Sequence, residues 1–287
     1  MKAFELRPAR WEDEAAVAVL AAQIWDGEDY LADCFADWVR DSEGQFNLAM
    51  AGNELAACNK LTRLAPQEWW LEGLRVDPRF RSQGLAWLLH DYALELIRQR
   101  GGGRVRLATA CDNPAVPKIA RQTGFRLQNS YLHTKLSLST AVTPDRFALV
   151  EVEELPQFQA QLTASDAFAA QDGLMEDGWT WYEIEPRLAE LQAQRRLFWW
   201  PERPSRRAVL IANAEEGEKL MGINFCGAHE TDLPAVVADF PYLAAHFQRS
   251  ELRFKPAATA VNRAALNHNG WFIDPETVLC VFERHLQ

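Results

Sequence analysis

The run Leu71-Glu72-Gly73-Leu74-Arg75-Val76-Asp77-Pro78-Arg79-Phe80-Arg81-Ser82-Gln83-Gly84-Leu85-Ala86-Trp87-Leu88-Leu89 decides the reading of this chain. Residues 69–76 predict a strand that Asp77-Pro78 ends, and residues 85–100 predict a helix with Leu88, Leu89, Tyr92 and Leu96 on one face. A strand that runs through a basic turn straight into a helix brings backbone N–H groups and the positive helix end to one point. Such a point suits a pyrophosphate. Gly84 lets the backbone approach a ligand, small Ala86 allows close packing at the helix start, and Arg79 or Arg81 adds charge. On their own, these residues equally describe an ordinary strand, turn and helix with solvated arginines.

Working outward, residues 4–7 predict a strand and residues 11–24 a helix with Glu12 and Asp13 in its first turn. Residues 45–51 and 54–62 flank Gly52-Asn53 as a hairpin. Downstream, Gly101-Gly102-Gly103 stops the long helix; residues 104–109 predict a strand, 114–123 a short helix closed by Gly124, and 126–138 an extended stretch. The first half therefore reads β-α-β-β-β-α-β-α-β. The polar segment 139–145, with Pro144, is the boundary candidate, giving domains at 1–140 and 146–287. In the second, strands are expected at 208–212, 219–226, 251–255, from 271 and at 278–283, with helices at 233–247 and 260–267. Residues 261–272, a helix ending in Gly270 before aromatic residues, parallel Asn113 to Phe125 and point to a degenerate repeat.

Composition bounds the partners. The 287 residues carry a formal net charge of -10, which disfavours nucleic acid and anionic membrane as partners. Five scattered cysteines (Cys34, Cys58, Cys111, Cys226, Cys280) with no C-x-x-C pair predict neither a disulfide framework nor a zinc site, and with no signal-like or membrane-spanning run they read as a reducing cytoplasm. The six histidines lack metal-ligand spacing, so no metal is expected. Trp179, Trp181, Trp199 and Trp200 are expected to pack between domains.

Arg81-Ser82-Gln83-Gly84-Leu85-Ala86 resembles the R/Q-x-x-G-x-G/A motif of the GNAT N-acetyltransferase superfamily, and the elements around it over residues 1–138 follow that family's order. Ile24-Trp25-Asp26-Gly27-Glu28-Asp29-Tyr30-Leu31 with Trp38, and Glu72-Gly73-Leu74-Arg75-Val76, resemble amino-acid acetyltransferases of the histidine N-acetyltransferase type, whose chains append a C-terminal domain. The resemblance implies an α/β (α+β) GNAT fold with a mixed, splayed central sheet, followed by a second, degenerate GNAT-like domain. It implies acetyl-CoA as co-substrate, a small-molecule amine as acceptor, and a monomer with internal domain pairing or a homodimer.

The family's residue roles carry over as follows. Arg81, Ser82, Gln83, Gly84, Leu85 and Ala86 would hold the pyrophosphate; Leu74, Arg75 and Val76 would pair with the pantetheine arm as if it were an added strand; Asn113 would lie near the sulfur. Glu72 is the candidate general base, with the pleat parity of Leu74 and Val76. The alternative is a surface glutamate on an edge strand. The family's tyrosine proton donor aligns with Ala120, leaving Tyr131, His133 or water for that role. Trp25, Asp26, Glu28, Asp29 and Tyr30 would wall the acceptor site, acidic groups holding an ammonium and rings stacking on the acceptor. A non-catalytic acyl-CoA-binding or regulatory module is the alternative function. The second half lacks the motif and is expected to bind no acetyl-CoA.

Overall fold

The computed structural model describes residues 4–138, 146–200, 206–214 and 219–287. The expected boundary segment 139–145 lies outside the described residues. Two compact units form: the first from the described part of Met1–Ala108 with Lys118–Arg126 and Phe282–Gln287, the second from Thr109–Pro117 and the described part of Leu127–Val281. The units thus interleave along the chain, where the sequence reading drew one cut between 140 and 146.

The opening elements are β1 (Glu5–Pro8), α1 (Glu14–Ala21), α2 (Leu31–Arg40), β2 (Gln45–Ala51), β3 (Glu54–Ala65), β4 (Glu68–Val76), α3 (Leu85–Gln99), β5 (Gly103–Ala110), α4 (Val116–Gln122) and β6 (Arg126–Ser137). The expected order is present with α2 added. In the first unit the strand order is β1-β2-β3-β4-β5, antiparallel except for the parallel β4–β5 pair. One face is covered by α1 and α2, whose Val17, Leu20, Leu31 and Phe35 pack on Phe46 and Leu48. On the other, Leu85 and Leu89 of α3 pack on Ala49 and Ala57. Each fully buried Leu or Phe removes enough apolar surface for about 1.5–3 kcal/mol.

The second unit adds β7 (Ala148–Leu149), α5 (Leu155–Thr163), α6 (Asp166–Ala170), β8 (Leu174–Asp177), β9 (Thr180–Glu183), α7 (Leu188–Ala193) and β10 (Leu197–Trp200). β11 (Ala208–Ala214), β12 (Leu220–Ala228), α8 (Leu233–His246), β13 (Glu251–Phe254), α9 (Ala260–His268) and β14 (Phe272–Leu286) follow. Its order β7-β10-β11-β12-β13-β6 repeats the first unit's pattern, with β12–β13 as the parallel pair. β14 is one continuous strand where two were expected. Its residues 272–281 belong to the second unit and 282–286 to the first, where Glu283 accepts from Arg106 at 2.6 Å. Trp181, Trp199 and Trp200 are buried and Trp179 is exposed; Trp199 and Trp200 pack in cores of the second unit.

The cysteine reading needs correction. Cys111, just beyond β5, and Cys280, on β14, form a disulfide within the second unit, with Cα atoms 5.0 Å apart. The partners are separated by 169 residues, so no local spacing announced them. The inference of a reducing compartment, which rested on unpaired cysteines, loses that support. Among the described residues no helix is long and apolar enough to cross a membrane, and no group of three or more His, Cys, Asp or Glu side chains is placed to hold a metal.

Candidate active site

The site is built where β4 leaves its parallel neighbour. Among the described residues the β4–β5 register ends at Leu71↔Leu107, so residues 72–76 keep β3 alone as partner. A β-bulge falls in this stretch: Cys58 opposes Arg75 and Lys60 opposes Glu72, three steps on β4 against two on β3. The extra residue breaks the expected parity. Cys58 and Lys60 share a face, so Glu72 and Arg75 share it too, on the side of α1 and α2, while Leu74 and Val76 pack on the α3 side. Gly73 has φ +62°, and a Cβ there would meet the Trp38 ring at 2.5 Å. Glycine is needed for both reasons.

Glu72 is half-buried on this face. Thr62 donates its hydroxyl to Glu72 Oε1 at 2.6 Å, and Lys60 Nζ donates to Thr62 Oγ1 at 3.1 Å. Burial pushes the Glu72 carboxyl above its ordinary value; the Thr62 hydrogen bond and the Lys60 charge pull the other way. Tyr30 and Cys34 feel the Glu72 charge, and both are pushed up, chiefly by burial.

The turn after β4 starts with Asp77, whose Oδ1 accepts from the Arg79 N–H at 2.8 Å and whose carboxylate pairs with the Arg79 side chain at 2.9 Å. Arg79 is therefore paired with Asp77 though exposed, and Arg81 is exposed beside the same turn. Ser82 and Gly84 adopt φ +61° and +82°, the left-handed region. Gly84 is the N-cap of α3, no side chain among the described residues caps that end, and a Cβ at Gly84 would meet nothing within 4 Å. The first-turn N–H groups of Leu85, Ala86 and Trp87 thus have no intrahelical partner and face an open cradle with positive helix polarity. The residues fit a pyrophosphate, and the one-sided stretch of β4 offers backbone groups to an extended arm.

The segment from Trp25 to Tyr30 does not present a row of acidic groups. Asp29 is buried, accepts from Arg75 Nε at 2.5 Å and caps α2 through the Leu31 N–H at 3.1 Å. Arg75 lies over the Trp25 ring at 4.3 Å and the Tyr30 ring at 5.2 Å. Asp26 and Glu28 are exposed. Trp25, Asp29, Tyr30 and Arg75 form one knot against the face that carries Glu72, and the backbone behind it is tightly turned, with φ +47° at Trp25, +57° at Asp26 and +93° at Gly27. Sequence reasoning named Trp38 but passed over Lys60 and Thr62; polar Lys60 and Thr62 at alternate positions of β3, on the face that Cys58 shares, were the available signal.

Tyr131 and Asn113 belong to the second unit. Tyr131 is 0% exposed, its ring 5.0 Å from that of Trp181. Asn113 Oδ1 accepts from the N–H groups of Ala115 and Val116 at 3.0 Å, which starts α4 and brings Pro117 into its first turn. Ala120 is buried in α4, and His133 pairs with Asp274 at 3.5 Å.

Comparison with known proteins agrees with this geometry. Residues 6–125 match the acetyltransferase (GNAT) family. A histidine N-acetyltransferase of Oreochromis niloticus is 30% identical over 90 residues, which span 31% of this chain and 27% of that protein, so the match covers little more than a quarter of the relative's length. A GCN5-related N-acetyltransferase of Sphaerobacter thermophilus superposes with a TM-score of 0.67 at 14% identity, covering 98% of this chain and 95% of that one. A tandem GNAT protein from the clavulanic acid biosynthesis pathway covers 99% and 98%, with a TM-score of 0.58 at 13% identity. Residues 6–125 thus carry the match to the GNAT acetyltransferase family, and the chain shares the fold of the GCN5-related and tandem GNAT structures.

Proposed function

We propose that the first unit transfers the acetyl group of acetyl-CoA to the amine of an amino acid or other small amine, by direct attack in a ternary complex. The observation that carries this is the placement of half-buried Glu72 at the start of the one-sided stretch of β4, on the strand that leads into the uncapped N-terminus of α3. Acetyl-CoA supplies a thioester carbon open to attack, and its C–S bond breaks as the new C–N bond forms. The N–H groups at the start of α3 and the exposed Arg81 bind its pyrophosphate. Backbone groups of Leu74 and Val76 hold the arm in line with the strand. Glu72 takes the proton of the acceptor's ammonium, directly or through one water, and its raised affinity for protons narrows the gap to the amine. The leaving thiolate takes its proton from water, because Ala120 stands where the family places a tyrosine and Tyr131 has no accessible surface.

An amino acid is favoured as acceptor by the Trp25–Arg75–Tyr30 stack beside Glu72 and by similarity to a relative named for histidine. Release of CoA thiol, measured across amino acids, polyamines and peptides, tests the reading. Turnover with at least one amino acid and its loss in Glu72→Gln are expected; acyl-CoA binding with no turnover on any acceptor would leave a binding module instead.

A further inference from the structure

Lys60 is a buried lysine that acetyl transfer, as described, does not use. Its side chain is 1% exposed, on the central strand β3. An ammonium is unfavourable in such a place unless it is paired and hydrogen-bonded. Lys60 Nζ meets that demand with the carbonyl of Leu61 at 2.8 Å, Thr62 Oγ1 at 3.1 Å and the carboxylate of Asp41. The loop after α2 is shaped around the pair. Asp41 Oδ1 accepts from the N–H groups of Glu43 at 3.0 Å and Gly44 at 2.9 Å. A Cβ at Gly44 would lie 2.3 Å from Asp41 Oδ2 and 2.5 Å from Lys60 Nζ.

The hydrogen bonds have a direction. Lys60 donates to Thr62, and Thr62, its oxygen already engaged, donates to Glu72 at 2.6 Å. We propose that Lys60, anchored by Asp41 and acting through Thr62, is a positioning residue that keeps the half-buried Glu72 carboxylate ionised and aimed for proton abstraction. This rests on Glu72 being the base. Burial alone favours the protonated carboxyl, which cannot take the acceptor's proton; a donor and a positive charge on the β3 side oppose that drift. The other groups around Glu72 do not supply this help. Tyr30 and Cys34, from the α2 side, are not cations; Arg75, on the same face of β4, is neutralised by Asp29; and Asp41 itself repels the carboxylate while binding Lys60.

Thr62→Val removes the donor at nearly constant volume, and Thr62→Ser restores it. Two readouts apply in the full chain: the acidic limb of kcat/KM against pH, and the carbon-13 NMR titration of the Glu72 carboxyl. In Thr62→Val both should move up by about one pH unit, an activity loss that approaches tenfold on the acidic limb and recovers on the alkaline side. Lys60→Met should shift the titration the same way, and Thr62→Ser should return it to the wild-type position. A Glu72 titration that stays in place in Thr62→Val, or a Ser variant that behaves like Val, overturns the proposal. An acidic limb that survives in Glu72→Gln overturns the base assignment instead, and the NMR titration still decides what sets the Glu72 charge.

Discussion

The same strand–turn–helix is made twice in this chain, with different side chains at its junction. In the first unit the parallel pairing ends at Leu71, the next residue is Glu72, and the turn delivers Gly84 as an uncapped start of α3. In the second the pairing ends at Ile223, the next residue is Asn224, and α8 starts from Asp232 with Pro234 in its first turn. The Asp232 carboxylate makes no cap hydrogen bond to α8 and pairs with Arg207 at 3.0 Å, but it places a negative charge at the helix start, which disfavours an anion there. Asn224 is also consumed: it donates to the Glu176 carbonyl at 2.7 Å and accepts from Arg196 at 3.0 Å. Architecture therefore sets where a site is available, and a handful of side chains decide whether it stays open or is filled.

The sharpest way to break this contrast is to remove the carboxylate. Glu72→Gln should lower turnover at neutral pH by about 10²–10⁴ with CoA affinity largely kept, and part of the rate should return at alkaline pH, where the amine is neutral without help. Asn224→Ala should leave steady-state turnover of the folded protein near wild type. Next in size is the bulge. Gly73→Val places a branched side chain at φ +62° against Trp38 and should cost about 2–4 kcal/mol in denaturant unfolding, alongside a loss of activity. A comparable cost, about 2–4 kcal/mol, is expected in the second unit for Cys111→Ser, which opens the disulfide to Cys280.

Most of the first unit was legible in the sequence because its elements carry local signals: Gly52-Asn53 between β2 and β3, Asp77-Pro78 after β4, the glycines after α3. The cradle at Gly84 was legible for the same reason. What was not legible depends on pairing across distance. The bulge at Gly73 reverses the parity that strict alternation assigns to Glu72, and a parity count cannot see it. Asp29 looked like a ligand for an ammonium, but Arg75, 46 residues on, takes it. The strands β7, β8, β9 and β10 stayed unassigned because they are two to four residues long, too short for periodicity to register.

A smaller effect of opposite sign separates function from stability at the site. Burial raises the Glu72 carboxyl above its ordinary 4.5, so the folded state holds that proton more tightly than the unfolded state. Stability is then lost as pH rises from the unfolded value through the folded one, and the cost is fully present only above the folded value. Glu72→Gln should melt slightly higher than wild type at pH 7, and the difference should shrink below about pH 4.5, where the wild-type carboxyl is protonated in both states. Equal melting temperatures at pH 7 would show that burial does not oppose the charge.

The central claim is that one of the two junctions, the one at Gly84, binds the co-substrate. Calorimetric titration of the full chain with CoA tests it most directly, with Gly84→Glu as the paired variant and circular dichroism as the check on folding. The account predicts one equivalent of CoA per chain for the wild type and no measurable binding for folded Gly84→Glu, because the glutamate brings bulk and negative charge into the cradle. Two equivalents per chain, or undiminished affinity in the variant, would contradict it.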